Sequence, residues 1–382
     1  MKKLFFAAAL LVLSALTALS RNPGSDVKTG PWVTNVSENE ITILWTSKTS
    51  GQAWVELADG TREWEVFAGR RIFGRFHKVT LTGLVPGELV KYRVGGRLLV
   101  DDTNARDPKL GEEYVDDWHT VHTFDYSRQT CRFTVFNDIH LEIDKFEAMA
   151  AKVDTLRDDF IFFNGDIVSA GNYTIDSLVD YSIAPLGDKA ASLPLNFARG
   201  NHEGRGNNVQ AVAQVYPNNV GKGFYYTFRE GPVAFLVLDA GETHARRSVA
   251  YCGTEVFEAY INEQVAWAEK ALQEPFFKDA PVKVCLAHVP MIDHPVQNDY
   301  DIQRWMNVHM LPLLNREGFD LMIGADLHEY RNDKAGTMHN DFPIVTNSNA
   351  ERLTFEYVDG NIAIRIYNPA GELVHVIDHV VR

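Results

Sequence analysis

From about Arg21 to Phe124, apolar and polar positions alternate with a period of two in short runs rich in β-branched and aromatic residues: EITILWTS, QAWVELAD, FHKVTLTGL and LVKYRVGG. Such alternation gives each segment one face for a core and one for water, as in half-buried strands. Turn chemistry at Asp59-Gly60 and Pro86-Gly87 separates the runs. The pattern predicts an all-β sandwich of roughly 100 residues. The acidic stretch RDPKLGEEYVDDW, 106–118, has no clear period and reads as a connecting loop before a last strand.

Beyond Thr130 the texture changes. Wholly apolar runs (CRFTVFND, DFIFFNGD, GPVAFLVLDAG, PVKVCLAHVP, DLMIGAD) alternate with segments of helical period, KFEAMAAKVDTLRD, FEAYINEQVAWAEKALQE and IQRWMNVHMLPLLNREG. Strands interleaved with helices predict an α/β layered core. The closing RLTFEYVDGNIAIRIYNPAGELVHVIDHVV reads as three strands joined by turns, an antiparallel finish to a sheet. The expected organisation is a β-sandwich domain over 21–126 and an α/β domain over 127–382, with the boundary near Tyr126 to Thr130.

Composition agrees with two globular domains: 382 residues, 45% hydrophobic and 23% charged. A formal net charge of −14 argues against a nucleic-acid duplex as partner, since such binding needs a basic face to displace counterions. The chain opens MKKLFFAAALLVLSALTALS, two lysines, an apolar run and small residues, which reads as a secretory signal peptide over 1–20. The expectation is an exported protein, periplasmic or extracellular, with no later transmembrane segment. Of the three cysteines, Cys131 and Cys285 lie in apolar runs, where a thiol acts as a small hydrophobe.

The candidate chemistry lies where the apolar runs end. They terminate at Asp138 and His140, at Asp166, at Asn201 and His202, at His288, and at Asp326 and His328. Singly, each has a mundane explanation as a turn or a packed histidine. Together, five segments in similar settings fit a dinuclear hydrolytic centre, which needs ligands from several chain segments and one carboxylate able to bridge two cations. Strand ends of a layered sheet deliver such groups to one edge.

These segments resemble the calcineurin-like metallophosphoesterases, a family that includes purple acid phosphatases and many nucleotidases and phosphodiesterases. The family pattern D-x-H, G-D, G-N-H-E, a lone H and G-H-x-H reads here as DIH at Asp138, GD at Gly165, GNHE at Gly200, His288, and ADLH at Ala325. The resemblance covers roughly Arg132 to Arg382. In the first domain, HKVTLTGLVPGELVKYRV resembles fibronectin type III-like domains such as those that precede purple acid phosphatases, with Val90 where the corner tyrosine often stands. The resemblance implies a β-sandwich flanked by helices for the second domain. It also implies an enzyme that hydrolyses phosphomonoesters or phosphodiesters, of small molecules or proteins, by a metal-bound hydroxide. Two divalent or trivalent ions, Mn, Zn or Fe, are the implied cofactors. Asp138, His140 and His328 would hold one ion, Asn201 and His288 the other, and Asp166 would bridge them. His202 would act on the transferring phosphoryl group or the leaving alkoxide, with Glu203 as its orienting partner.

The departures also carry information. Asp326 stands where the family has a histidine, so the second position gains a harder ligand. Ser169 stands where the purple branch has a tyrosine, so no tyrosinate-to-iron colour is expected. His294, Arg199 and Tyr330 are further candidates for substrate contact. A nucleotidase or nucleotide phosphodiesterase is the alternative enzymatic reading, and a binding protein disabled by the Asp326 change is the non-enzymatic one.

Overall fold

The computed structural model describes residues 22, 24–206, 209–242, 251, 253–292 and 301–381. The leader expected at 1–20, Cys252 and the candidate His294 lie outside them.

The N-terminal region is all-β, a seven-stranded hydrogen-bonded array. Its axis is the 18-residue strand Glu40–Leu57, which the alternation pattern divides into two runs. The division is real in pairing: Thr42–Thr46 faces the strands Val27–Thr34 and Gly74–Thr82, whereas Gly51–Leu57 faces Leu89–Asp101. An irregularity between Thr46 and Gly51 marks the change of partner. The stretch read as a connecting loop holds the strand Lys109–Val115, paired with Leu89–Asp101. It escaped notice because most of its side chains face water, so no apolar alternation marks it.

The second region is two six-stranded sheets packed face to face. One contains Leu195–Ala198, Phe160–Asn164 and Cys131–Phe136 in parallel, continued antiparallel by Arg352–Val358, Asn361–Tyr367 and Leu373–Val380. The other runs Tyr226–Glu230, Val233–Leu238, Val282–Ala287, Leu321–Gly324, Ile344–Thr346 and Arg331–Asp333, its middle four strands parallel. Side chains alternate across each sheet, so a strand buried on both faces must be largely apolar, as the central strands Phe160–Asn164 and Val233–Leu238 are. Phe133 and Val135 point between the sheets; Phe133 meets Phe235 of the opposite sheet edge-on with centroids 5.3 Å apart. Ile161 and Phe163 point outward, under Phe146, Met149 and Leu178 of the helices Ile143–Ala150 and Ile175–Ser182. On the far side, helix Phe257–Ala271 buries Ile261 and Ala268 against Leu236 and Leu238. Cys131 and Cys285 are buried thiols without a disulfide.

The two regions share a core. Trp32 is fully buried among Phe136, Phe163 and Val215, and its indole N–H donates to the Val215 carbonyl at 3.1 Å. Tyr92, two residues past the position of the missing corner tyrosine, donates from its buried hydroxyl to the Ala191 carbonyl at 2.8 Å. A buried polar tip with a partner satisfies both the apolar ring and the desolvated group. Among the described residues no helix is long and apolar enough to cross a membrane.

Candidate metal centre

Each parallel strand of both sheets ends on the same edge, and the loops that leave those ends carry the chemistry. Cys131–Phe136 leads to Asp138 and His140, Phe160–Asn164 to Asp166, Leu195–Ala198 to Asn201 and His202, Val282–Ala287 to His288, and Leu321–Gly324 to Asp326 and His328.

The loops turn sharply. Asp138, His140, Asp166, Asp326 and His328 all adopt left-handed φ values between 48° and 65°. Asp and His tolerate this region better than most residues, yet so many together represent backbone strain held at a functional site. Hydrogen bonds between loops hold the conformation: Asp138 N to Gly165 O, His140 N to Asp166 O, and Ala325 N to the carbonyl of His288. Close approach is a further demand. A Cβ on Gly165 would stand 2.5 Å from His288 Nδ1, and one on Gly200 would stand 2.1 Å from Asp166 Oδ1, so both positions require glycine.

Asp138 and Asp166, both essentially inaccessible to solvent, divide their oxygens alike. Asp138 Oδ2 accepts from Asn137 Nδ2 at 2.7 Å and from the Asp326 N–H at 3.2 Å. Its Oδ1 is buried without a hydrogen-bond donor and lies 3.3 Å from His328 Nε2 and 3.7 Å from His140 Nε2. Asp166 Oδ1 accepts from the His202 N–H at 2.8 Å, while Oδ2 faces His288 Nε2 at 3.4 Å, His202 Nε2 at 3.7 Å and His140 Nε2 at 3.9 Å. One oxygen of each carboxylate is thus fixed by the protein and the other is turned to a common centre.

His288 closes the far side. Its Nδ1–H donates to the Asn164 carbonyl at 2.7 Å, which sets the tautomer and aims Nε2 inward. That buried nitrogen has no hydrogen-bond partner, and Asp326 Oδ1 lies 3.6 Å from it. His140 and His328 meet across the mouth with Nε2 atoms 3.1 Å apart. Three overlapping groups result, Asp138–His140–His328, His140–Asp166–His202 and Asp138–Asp166–His288, each with ligand atoms within 4.8 Å of one another. Asn201 heads the short helix Asn201–Gly204, buried, with its amide Nδ2 3.2 Å from Glu242 Oε1. The donor set of imidazoles and carboxylates, with inward-facing atoms that lack hydrogen-bond partners, fits metal ions.

The charges respond to this crowding. Burial pushes Asp326 up to about 7, aided by the charges of Asp138 and Asp166 and opposed by His288. Burial works in the same direction on Asp138, but His288, His140 and His328 outweigh it and hold its carboxyl well below the usual range. Burial would neutralise His288, yet Asp166 and Asp138 hold its pKa well above the ordinary histidine value. His202 is lowered, chiefly by burial and partly by the Arg205 charge, with Asp166 opposing.

Three expectations require correction. Glu203 does not touch His202: its carboxylate accepts from the N–H groups of Gly200, Asp166, Ile167 and Val168, and so moulds the loop that carries Asp166. Arg199 is not a substrate contact. It is buried behind the site, forked onto Asp239 with two 2.8 Å bonds and bonded to the Gly241 carbonyl. Tyr330 lies face to face on His375 of the last strand, ring centroids 3.7 Å apart, and packs against the inter-sheet core.

Sequence reasoning missed Glu242, Arg205 and the pair Asn137 and Asn347. Asn347 Nδ2 donates to Asn137 Oδ1 at 2.8 Å, so a chain of amides reaches Asp138. Glu242 follows the apolar run GPVAFLVLDAG, the same design as the other strand ends, and that signal was available. Arg205, two residues past GNHE, had no such mark.

The profile of the calcineurin-like phosphoesterase family matches residues 131–330. Among solved structures, a purple acid phosphatase from yellow lupin (Lupinus luteus) seeds is similar with a TM-score of 0.67 and 15% identity, over 92% of this chain and 74% of that chain. A putative 5′-nucleotidase from Staphylococcus aureus is similar over 66% of this chain and 55% of that one, with 12% identity and a TM-score of 0.36. A cold-active protein-tyrosine phosphatase of a psychrophilic Shewanella covers 92% and 99% respectively, with 11% identity and a TM-score of 0.30. A search of curated proteins finds no match. With the family profile spanning just over half of the 382 residues and the lupin likeness extending through the strand-rich N-terminal region, the chain belongs to the calcineurin-like phosphoesterases and is a phosphoric ester hydrolase.

Proposed function

We propose that this protein is an exported hydrolase of phosphomonoesters or phosphodiesters that works with two bound cations. The observation that carries the reading is the convergence on His288. Three carboxylates, Asp138, Asp166 and Asp326, place oxygens 3.9, 3.4 and 3.6 Å from its Nε2. One proton on His288 neutralises a single charge of this set, whereas cations satisfy all of it.

Asp138, His140 and His328 would hold one cation and Asn201, His288 and Asp326 the other, and Asp166 would contribute to both. The second position then has three oxygen donors and one nitrogen, a harder set that favours Mn or Fe over Zn. When bound, the cations supply Lewis acidity toward phosphoryl oxygens and a water acidified enough to act as nucleophile. His202, partly exposed at the mouth, stands on the open side of the site, where its Nε2–H stabilises the charge that builds on the phosphoryl group. Asn137 and Glu203 hold Asp138 and the Asp166 loop in place through the reaction. Tyr173 donates its hydroxyl to the Ser169 carbonyl, so it is not a substitute for the tyrosine of the purple branch, and a colourless protein is expected. Export rests on the leader at 1–20.

The test is hydrolysis of nitrophenyl phosphate and bis(nitrophenyl) phosphate by chelator-treated protein reloaded with Mn, Zn or Fe. Turnover should return with metal and vanish in Asp166→Asn and His202→Ala, each still folded by circular dichroism. Absence of turnover of both esters with all three metals would support a non-catalytic binding protein instead.

A further inference from the structure

We infer that Arg205 and His202 together form a binding site for one phosphoryl oxygen of the substrate, with Glu242 as the brace that sets it. The inference rests on the phosphoesterase reading and names a residue that the family motifs do not include.

The argument begins with donors and acceptors. His202 Nδ1 accepts from the backbone N–H of Ala170 at 3.0 Å. A neutral imidazole carries one hydrogen, so Nε2 must hold it. Arg205 Nη1 lies 3.0 Å from that same Nε2. A guanidinium only donates, so two N–H groups face each other at hydrogen-bond distance with no acceptor between them. The opposite tautomer gives no relief, because it moves the conflict to the Ala170 N–H, and a backbone amide cannot turn away. Protonating both ring nitrogens leaves a conflict at each. Asp166 Oδ2, at 3.7 Å from Nε2, is beyond hydrogen-bond reach. An oxygen of an anion placed beside Nε2 and Nη1 accepts from both and removes the conflict.

Arg205 is held for this purpose. Its Nε and Nη2 donate to Glu242 Oε2 and Oε1 at 2.9 and 2.8 Å, a fork that fixes the guanidinium plane and leaves Nη1 as the working donor. Glu242 Oε1 also lies 3.2 Å from Asn201 Nδ2. One buried carboxylate therefore positions both a residue of the proposed metal set and the phosphate-facing arginine. That shared brace fixes the position of Nη1 relative to Asn201. Lysine would keep the charge but not the fork on Glu242.

The experiment is calorimetric titration of inorganic phosphate into the metal-loaded full chain, with metal content measured by elemental analysis. Compared are wild type, Arg205→Ala and Arg205→Lys. Loss of a charge-assisted bond predicts phosphate affinity lower by about 10- to 100-fold in Arg205→Ala, with metal content unchanged and KM for nitrophenyl phosphate raised in parallel. Arg205→Lys should fall between, and it decides the question if the alanine variant does not fold. Phosphate affinity within about twofold of wild type in the folded variants overturns the inference while leaving the hydrolase reading intact. A metal-loaded wild type that neither binds phosphate nor cleaves its esters overturns that reading and this inference with it.

Discussion

Nδ1 of His288 donates to the carbonyl oxygen of Asn164 at 2.7 Å, and the two residues end parallel strands in opposite sheets. The bond crosses the sandwich at the edge where the site lies. It places Nε2 of His288 against Asp166 and Asp138, which no local feature of the strand Val282–Ala287 requires. Replacing His288 with alanine should remove one cation of the pair. Elemental analysis is expected to show about one metal per chain, with kcat/KM reduced by on the order of 100-fold or more.

Asp326 separates two outcomes. If its carboxylate holds the second cation, Asp326→Ala lowers the metal count, and an unchanged count of two would reject that role. Asp326→His supplies the nitrogen that the family pattern has at this position. It should shift preference toward Zn relative to Mn by about tenfold in competition binding, because imidazole suits Zn better than a third hard oxygen does.

Glu203 receives four backbone N–H groups through one buried carboxylate. Glutamine offers one acceptor oxygen and turns its NH₂ toward donors. Glu203→Gln should cost roughly 2–4 kcal/mol in chemical denaturation, and the relaxed Asp166 loop should lower activity as well.

A pH effect on stability arises far from the metal centre. The Arg128 guanidinium faces two buried carboxylates, Glu230 at 2.8 Å and Asp159. Burial, with Asp159 adding repulsion, pushes Glu230 up to about 8 from an ordinary 4.5. Asp159 is raised too, by burial against the pull of Arg128. The folded chain therefore keeps a proton that the unfolded chain has already released, so this contribution to stability is full below about 4.5 and is lost as pH rises through about 8. Denaturation midpoints should fall between pH 5 and pH 8, and Glu230→Gln should flatten that dependence. An equal slope in the variant would place the titration elsewhere.

Trp32 belongs by sequence to the β region and by packing to the α/β core. Trp32→Ala removes the ring and its bond to Val215, at a cost of about 3–5 kcal/mol. Calorimetry should show the whole chain melting earlier. A lowered transition for the N-terminal region alone, with the catalytic region unaffected, would contradict the shared core.

Much of this molecule was legible in the chain. Periodicity separated the strand-rich region from the layered one because side-chain direction repeats every two residues in a strand and every 3.6 in a helix. The runs ending at Asp138, Asp166 and His288 were visible for the same reason: a strand buried on both faces must be apolar, so its polar end stands out. The strand Lys109–Val115 was not legible, since an exposed edge imposes no such pattern.

The residue types and order of the site are thus properties of the sequence, while their partners are properties of the fold. GNHE suggested that Glu203 orients His202, but the chain turns so that Glu203 reaches back to the Asp166 loop instead. Arg199 looked as available for phosphate as any arginine beside a motif, until the strand Val233–Leu238 brought Asp239 beneath it. Arg205 and Glu242, separated by 37 positions, became one unit through the same tertiary contact. Local sequence constrains backbone period and which residues can stand at a strand end; it does not encode which distant donor meets which acceptor. That is decided when two sheets close on each other and every buried polar group must find its partner among whatever the other strands deliver.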